Sequence, residues 1–151
     1  MQNEFSVEIG KEEELFTLVH HNIAMALETE NLALNPELVQ KGVQAVLEDS
    51  NKGFYLVVKH MHQIAGSLMI TQEWSDWRNA WIWWIQSVYV KPDYRGKGVY
   101  KTLFETVKKL ASENKVPVIR LYVDQNNTSA MQVYAKTGMT ASHYALWEWE
   151  E

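Results

Sequence analysis

Two glycines and two cations stand together in Arg95-Gly96-Lys97-Gly98-Val99-Tyr100, between a strand pattern ending in Val88-Tyr89-Val90 and a helix pattern beginning at Val99. A strand, a glycine loop and a helix start, in that order, aim a row of backbone N–H groups and the positive end of a helix at one spot. The chemistry such a spot can do is anion binding, with Arg95 and Lys97 adding side-chain charge. Glycine suits a backbone that must turn sharply and let a ligand approach. The phosphate ligands usually read from such loops need more than is present. The dinucleotide fingerprint requires a third glycine, and Gly98 is followed by Val99-Tyr100-Lys101; the triphosphate loop G-x-x-x-x-G-K-[ST] is absent. A plain turn and helix cap with no ligand is the other reading of these local features.

The elements that must position this loop follow from periodicity. Val99, Tyr100, Leu103, Phe104, Val107, Leu110 and Ala111 repeat at helical spacing, with Lys101, Glu105, Lys108 and Lys109 on the other face. Upstream, Phe5 to Ile9 alternates as a strand. Glu12 to about Leu27 reads as a helix with its acidic residues in the first turn. Asn35-Pro36 reads as an N-cap and first helical residue of a second helix. Strands are expected at Phe54–Lys59, Ile64–Gln72 and Trp81–Val90, with a turn at His60-Met61-His62. Val118 to Asp124 reads as another strand, and Asn127 caps a helix that ends at Gly138. The last 13 residues leave room for one long strand through Trp149. This order predicts a single mixed α/β domain, residues 1–151, with a central, mostly antiparallel sheet of six or seven strands and four helices.

The central run resembles the GNAT family of N-acetyltransferases, whose motif is V-x-V-x-P followed by [QR]-x-x-G-x-[GA]. Val88, Val90, Pro92, Arg95 and Gly98 match, and Tyr100 departs from the final small residue. A second family pattern, N-x-x-A then a tyrosine and a glycine at four-residue steps, is met by Asn127, Ala130, Tyr134 and Gly138. The resemblance implies acetyl-CoA as co-substrate, no metal, and cofactor contacts from Val88, Tyr89, Val90, Arg95, Gly96, Lys97, Gly98, Val99, Tyr100, Asn127 and Tyr134. It implies that the strands ending at Val90 and Asp124 run parallel and splay, with the pantetheine arm in the gap. It also implies direct attack of an amine on the thioester, with no covalent enzyme intermediate. A backbone N–H of Val88 or Val90 then polarises the carbonyl, and Tyr134 protonates the leaving thiolate. The family's usual glutamate base falls on Gln86, which cannot take a proton. Glu28, Glu73, Asp76, Asp124, His20, His21 and His143 remain as replacements. The ring of Tyr100 is expected to turn into the apolar stripe of its helix.

Five of the seven tryptophans lie between residues 74 and 84. Alternation puts Trp81 and Trp83 on one sheet face, read as core, and Trp84 with Gln86 on the other. Trp74 and Trp77 fall in an expected hairpin loop, Glu73–Asn79, where an indole can hold a cationic amine. With Glu28, Glu73 and Gln86 they form the candidate acceptor site. A net charge of −5 argues against a nucleic-acid partner. The absence of cysteine excludes disulfides, thiolate nucleophiles and Cys-ligated metals. No stretch is apolar enough to span a membrane and no leader pattern opens the chain, so a cytoplasmic location is expected. The apolar residues of the final segment suggest burial in a homodimer. Three functions stay open at this level: an N-acetyltransferase, a catalytically degenerate acyl-CoA sensor, and a cofactor-free Trp-rich interaction module.

Overall fold

The computed structural model describes residues 4–151. In chain order it holds β1 (Phe5–Ile9), α1 (Leu15–Glu30), α2 (Pro36–Glu48), β2 (Phe54–His60), β3 (Gln63–Ser75), β4 (Ala80–Val90), α3 (Val99–Glu113), β5 (Val118–Leu121) and α4 (Thr128–Lys136). Short 3-10 turns at Glu12–Glu14 and Pro92–Tyr94 precede α1 and the glycine loop. Local chemistry sets the helix starts. The Glu14 carboxylate accepts from the Lys11 N–H at 2.6 Å. Asn35 Oδ1 accepts from the Glu37 and Leu38 N–H groups, with Pro36 opening α2.

The strands form one sheet in the order β1-β2-β3-β4-β5, antiparallel except for the parallel β4–β5 pair. Helix α3 covers one face through Val99, Leu103, Phe104 and Val107, packed on Leu56, Val58, Leu68, Ile70, Trp83 and Ile85. Helices α1 and α2 cover the other through Leu18, Val19 and Val43, packed on Tyr55 and Val57. Each such fully buried aliphatic side chain contributes roughly 1.5–3 kcal/mol relative to exposure. These two layers hold β4 between helices and fix where its C-terminal end emerges.

One irregularity in β4 matters for the site. Ser67 pairs with Tyr89 but Met69 pairs with Gln86, so two residues of β4, Ser87 and Val88, face Leu68 alone. Ser87 takes φ 54°, the left-handed conformation of a bulged residue. The extra residue reverses the alternation. Val88 and Val90 therefore continue the α3 side begun by Trp83 and Ile85, and Tyr89 turns to the α1 side.

The expected mixed architecture, four helices and parallel strand pair are present, and four details differ. The sheet has five strands, because residues 140–151 form no strand and are exposed throughout; a strand needs a ladder partner, and this segment lies against none. β5 stops at Leu121 instead of Asp124, where its pairing with Ile85 ends. Trp74 is not a loop residue: β3 runs on to Ser75, and only Asp76–Asn79 turn. Trp81 is not core, being 45% exposed, whereas Trp83 is buried.

Candidate functional site

The glycine loop is built to leave its amides free. Gly96 and Gly98 sit at φ 76° and 84°, and a Cβ at either would meet nothing within 4 Å. Their glycine character therefore serves the left-handed turn and leaves open space outside it. Gly98 caps α3 without a side-chain hydrogen bond. Among the described residues, no acceptor meets the N–H groups from Gly96 to Lys101; internal bonding resumes with Thr102 N–H to Gly98 O at 3.0 Å. Six consecutive unpaired donors at a helix N-terminus are what an anionic group needs. Lys97 reaches over the Tyr94 ring at 5.9 Å, close beside the row. These features fit a pyrophosphate.

The adjacent strand edge is also free. Lys91 N–H donates to Ala65 O at 2.9 Å, so by antiparallel alternation Val90, opposite Gly66, turns its N–H and C=O away from β3. On that outward side β5 pairs only Ile82–Ile85. From Gln86 to Val90 the outward edge of β4 has no strand beside it, and that gap is the splay expected for an extended ligand arm. Arg95 bends back over this edge. Its Nε donates to Val90 O at 2.9 Å and its Nη2 to Glu28 Oε2 at 2.7 Å, while the guanidinium lies 5.6 Å from the centre of the Tyr89 ring. The side chain of Arg95 is thus committed to strand and α1, leaving the backbone as its loop's anion ligand.

Tyr89, brought to the α1 side by the bulge, donates from its hydroxyl to Glu28 Oε1 at 3.3 Å. Burial and the Glu28 charge both hold that phenol in its protonated form. Behind it His21 is buried, with Nδ1 2.7 Å from Ser67 Oγ and its ring 4.8 Å from that of Tyr89. Burial, reinforced by the charges of Lys91 and His20, lowers the His21 pKa to about 4, so it is neutral near pH 7. His20 and His143 are exposed.

On the other side of the gap, Asn127 Oδ1 accepts from Ala130 N–H at 3.1 Å and starts α4. Tyr134 then meets Tyr100 ring to ring at 5.4 Å, and Tyr100 stacks on Phe104 at 5.9 Å. Tyr100 therefore fills the apolar layer, its hydroxyl buried without a hydrogen-bond partner. Burial raises the Tyr134 pKa above the usual phenol value, which keeps a proton on it at neutral pH. Between α1 and the β5–α4 loop lies a cleft of ≈ 800 Å³ lined by Glu28, Thr29, Glu30, Asn31, Asp124, Asn126 and Asn127.

The remaining candidates do not converge there. Gln86 donates to Thr71 Oγ1 at 2.8 Å, and Glu73 accepts from Trp84 Nε1 at 3.2 Å and pairs with Arg120 at 3.5 Å. Trp74 packs edge-on against Trp81, and Trp77 is 84% exposed at the hairpin tip. Sequence reasoning missed the Tyr89–Glu28–Arg95 cluster as a unit, since the bulge that assembles it has no signal beyond Gln86-Ser87. No group of three or more His, Cys, Asp or Glu able to hold a metal occurs among the described residues. Nor is any helix there long and apolar enough to cross a membrane.

Comparison with known proteins agrees with this geometry. Residues 21–139 match the acetyltransferase (GNAT) family. A possible acetyltransferase from Clostridium difficile 630 is 36% identical, with 99% of each chain covered and a TM-score of 0.91. Streptothricin acetyltransferase of Escherichia coli is 33% identical over 78 residues, a match spanning 52% of this chain and 42% of that protein. A predicted acetyltransferase from Clostridium acetobutylicum, solved with acetyl-CoA, shares the fold at 16% identity and a TM-score of 0.78, covering 95% of both chains. With more than half its length in the matched region, the chain belongs to the GNAT family of acetyltransferases.

Proposed function

We propose that this protein is an N-acetyltransferase that moves the acetyl group of acetyl-CoA directly to a small cationic amine. The observation that carries this reading is the run of unpaired N–H groups from Gly96 to Lys101 beside the open edge of β4. Bound acetyl-CoA supplies an activated acyl thioester. The loop amides hold its pyrophosphate, and the outward N–H of Val90, whose own C=O is taken by Arg95, pairs with its amide-bearing arm together with the backbone of Val88. An outward N–H of β4 also withdraws charge from the carbonyl under attack. Tyr134, kept protonated by burial, gives the leaving sulfur its proton.

The acceptor enters from the acidic cleft, where Glu28, Glu30 and Asp124 attract an ammonium group. Glu28, which lines this cleft and is held by Tyr89 and Arg95, receives the proton of the incoming amine directly or through water. The acid cleft favours a polyamine-like or aminoglycoside-like acceptor over a protein N-terminus, and the relative that acts on streptothricin supports that preference. A cytoplasmic location, where acetyl-CoA is available, goes with this reading.

Calorimetric titration with acetyl-CoA, followed by thiol-release assays against a panel of amines, tests the reading. Binding with turnover on cationic amines is expected. Binding without turnover on any amine would make the protein a sensor of acyl-CoA. No binding would refute both and leave an interaction module.

A further inference from the structure

Several polar and aromatic side chains that stay out of the acidic cleft gather elsewhere on the same side of the sheet. In the strand register Trp84 lies opposite Thr71 of β3 and Arg120 of β5, so the three share a face, and Gln86 shares it too. It is the α1 face, because Gln86 pairs with Met69, which packs under α1 and α2. Glu73 ties the group together. Its Oε1 accepts from Trp84 Nε1 at 3.2 Å and its Oε2 from Arg120 Nη1 at 3.5 Å. The Arg120 guanidinium lies 5.9 Å from the centre of the indole. Tyr122 stacks on that indole, with 4.5 Å between ring centres and 25° between planes. Trp84 covers one side of the tyrosine ring, and the residue is still 54% exposed, so its other side is bare. Tyr122 also follows Leu121, whose pairing with Ile85 is the last rung between β4 and β5. It therefore stands at the mouth of the gap that opens at Gln86, two residues before Asp124 of the acidic cleft.

We propose that Tyr122, braced by Trp84, is a specificity residue that seats the ring of a ring-bearing amine, whose ammonium group goes to the acidic cleft. This rests on the acetyltransferase reading for the fate of the amine, but not for where the amine sits. Charge decides which end goes where. Glu73 is already matched by Arg120 and by the indole N–H, so the stacked pair has no spare carboxylate for an ammonium group. The cleft has Glu28, Glu30 and Asp124. A linear polyamine would use the cleft alone and leave the tyrosine face in water. A flat-faced ring covers that face and keeps the same charge contacts. Indole, guanidinium and carboxylate hold the plane of Tyr122 in place before any ligand arrives, which lowers the ordering cost of binding. Gln86, anchored to Thr71 at 2.8 Å, adds a polar rim between this seat and Tyr89. Stacking of this kind suits an aromatic ring or the C–H face of an amino sugar, and the shared chemistry is the flat ring beside a primary amine.

Saturation-transfer NMR on the full chain without acetyl-CoA tests the seat separately from the chemistry. The probes are benzylamine, glucosamine and n-hexylamine, each with one ammonium group; the last has apolar bulk and no ring. Benzylamine or glucosamine should bind about 10-fold more tightly than n-hexylamine, and whichever does so names the kind of ring. Tyr122→Leu, which keeps apolar volume and removes the flat face, should abolish that preference, and Tyr122→Phe should keep it. Both substitutions fall at an exposed position, so circular dichroism should be unchanged. In thiol-release assays the ratio of kcat/KM for the ring-bearing amine over n-hexylamine should fall by the same factor in Tyr122→Leu alone. Equal affinity for all three amines, or a ring preference that survives Tyr122→Leu, would overturn the proposal. Ring-selective binding lost in Tyr122→Leu but without turnover of any amine would uphold the seat and refute the acetyltransferase reading instead.

Discussion

Lowering the pH from 7 should destabilise this protein well before its carboxylates titrate, and His21 is the reason. In the unfolded chain an imidazole binds a proton at its ordinary value of 6.5; in the fold burial lowers that to about 4. Nδ1 is engaged by Ser67, and Nε2 is buried with no partner, so a second proton would put an unaccepted N–H and a charge beside Tyr89 and near Lys91. Because the unfolded state binds the proton first, the contribution of neutral His21 is complete above pH 6.5 and is lost as pH falls towards 4. The interval corresponds to about 3 kcal/mol, a large part of a total stability of about 5–15 kcal/mol. Glu8 and Asp49, whose pKa values Lys59 and Lys52 hold below the ordinary 4.5 and 3.8, begin to lose their contribution only at the acid end of that window and below it. Urea unfolding followed by helical ellipticity at pH 7, 6, 5 and 4.5 should show the midpoint falling by about 1–2 M. His21→Asn, which retains a partner for Ser67, should start from a lower midpoint and flatten the dependence. A midpoint constant across the window, or an equal slope in the variant, would refute the reasoning.

Gly98→Asp keeps a residue type that tolerates φ 84° but sets a carboxylate beside the free amides, and should abolish acetyl-CoA binding in calorimetry; unchanged affinity would remove the site from this loop. Tyr134→Phe should leave cofactor affinity intact and slow turnover by about 100-fold, whereas an undiminished rate would make the ring purely structural. Glu28→Gln should raise KM for cationic acceptors by about 10-fold with little change in acetyl-CoA affinity, as competition between neutral and charged amines would reveal. Gly66→Ala would bring a Cβ within 2.8 Å of Tyr89 O and 3.0 Å of Val99 Cγ1, and should cost about 1–3 kcal/mol in thermal unfolding.

What the sequence disclosed was local. Asn35 and Asn127 cap where short polar residues before helical spacing said they would, and the repeat from Val99 to Ala111 named the buried face of α3. The glycine loop was legible because positive φ is written in residue type at Gly96 and Gly98. The hidden parts depend on pairing between distant segments. The bulge needs φ 54° from Ser87, a residue with no preference for it, and only the register against Ser67 and Met69 reveals it. Once there, it turns Tyr89 toward Glu28 and His21, more than sixty residues upstream. The final segment reads as a strand by alternation, yet alternation cannot supply the neighbour a strand requires.

The placement of the indoles has an optical consequence. Trp74, Trp77, Trp81, Trp147 and Trp149 stand in solvent on the β3–β4 arm and the tail, and Trp83 alone among the seven is buried. Steady-state emission of the folded chain will thus be dominated by wetted fluorophores, and unfolding of the core will shift it little. The edge-on Trp74–Trp81 pair, 5.1 Å apart and inclined at 77°, is a natural exciton couple. Its far-ultraviolet couplet will report the opening of that arm separately from the melting of the helices.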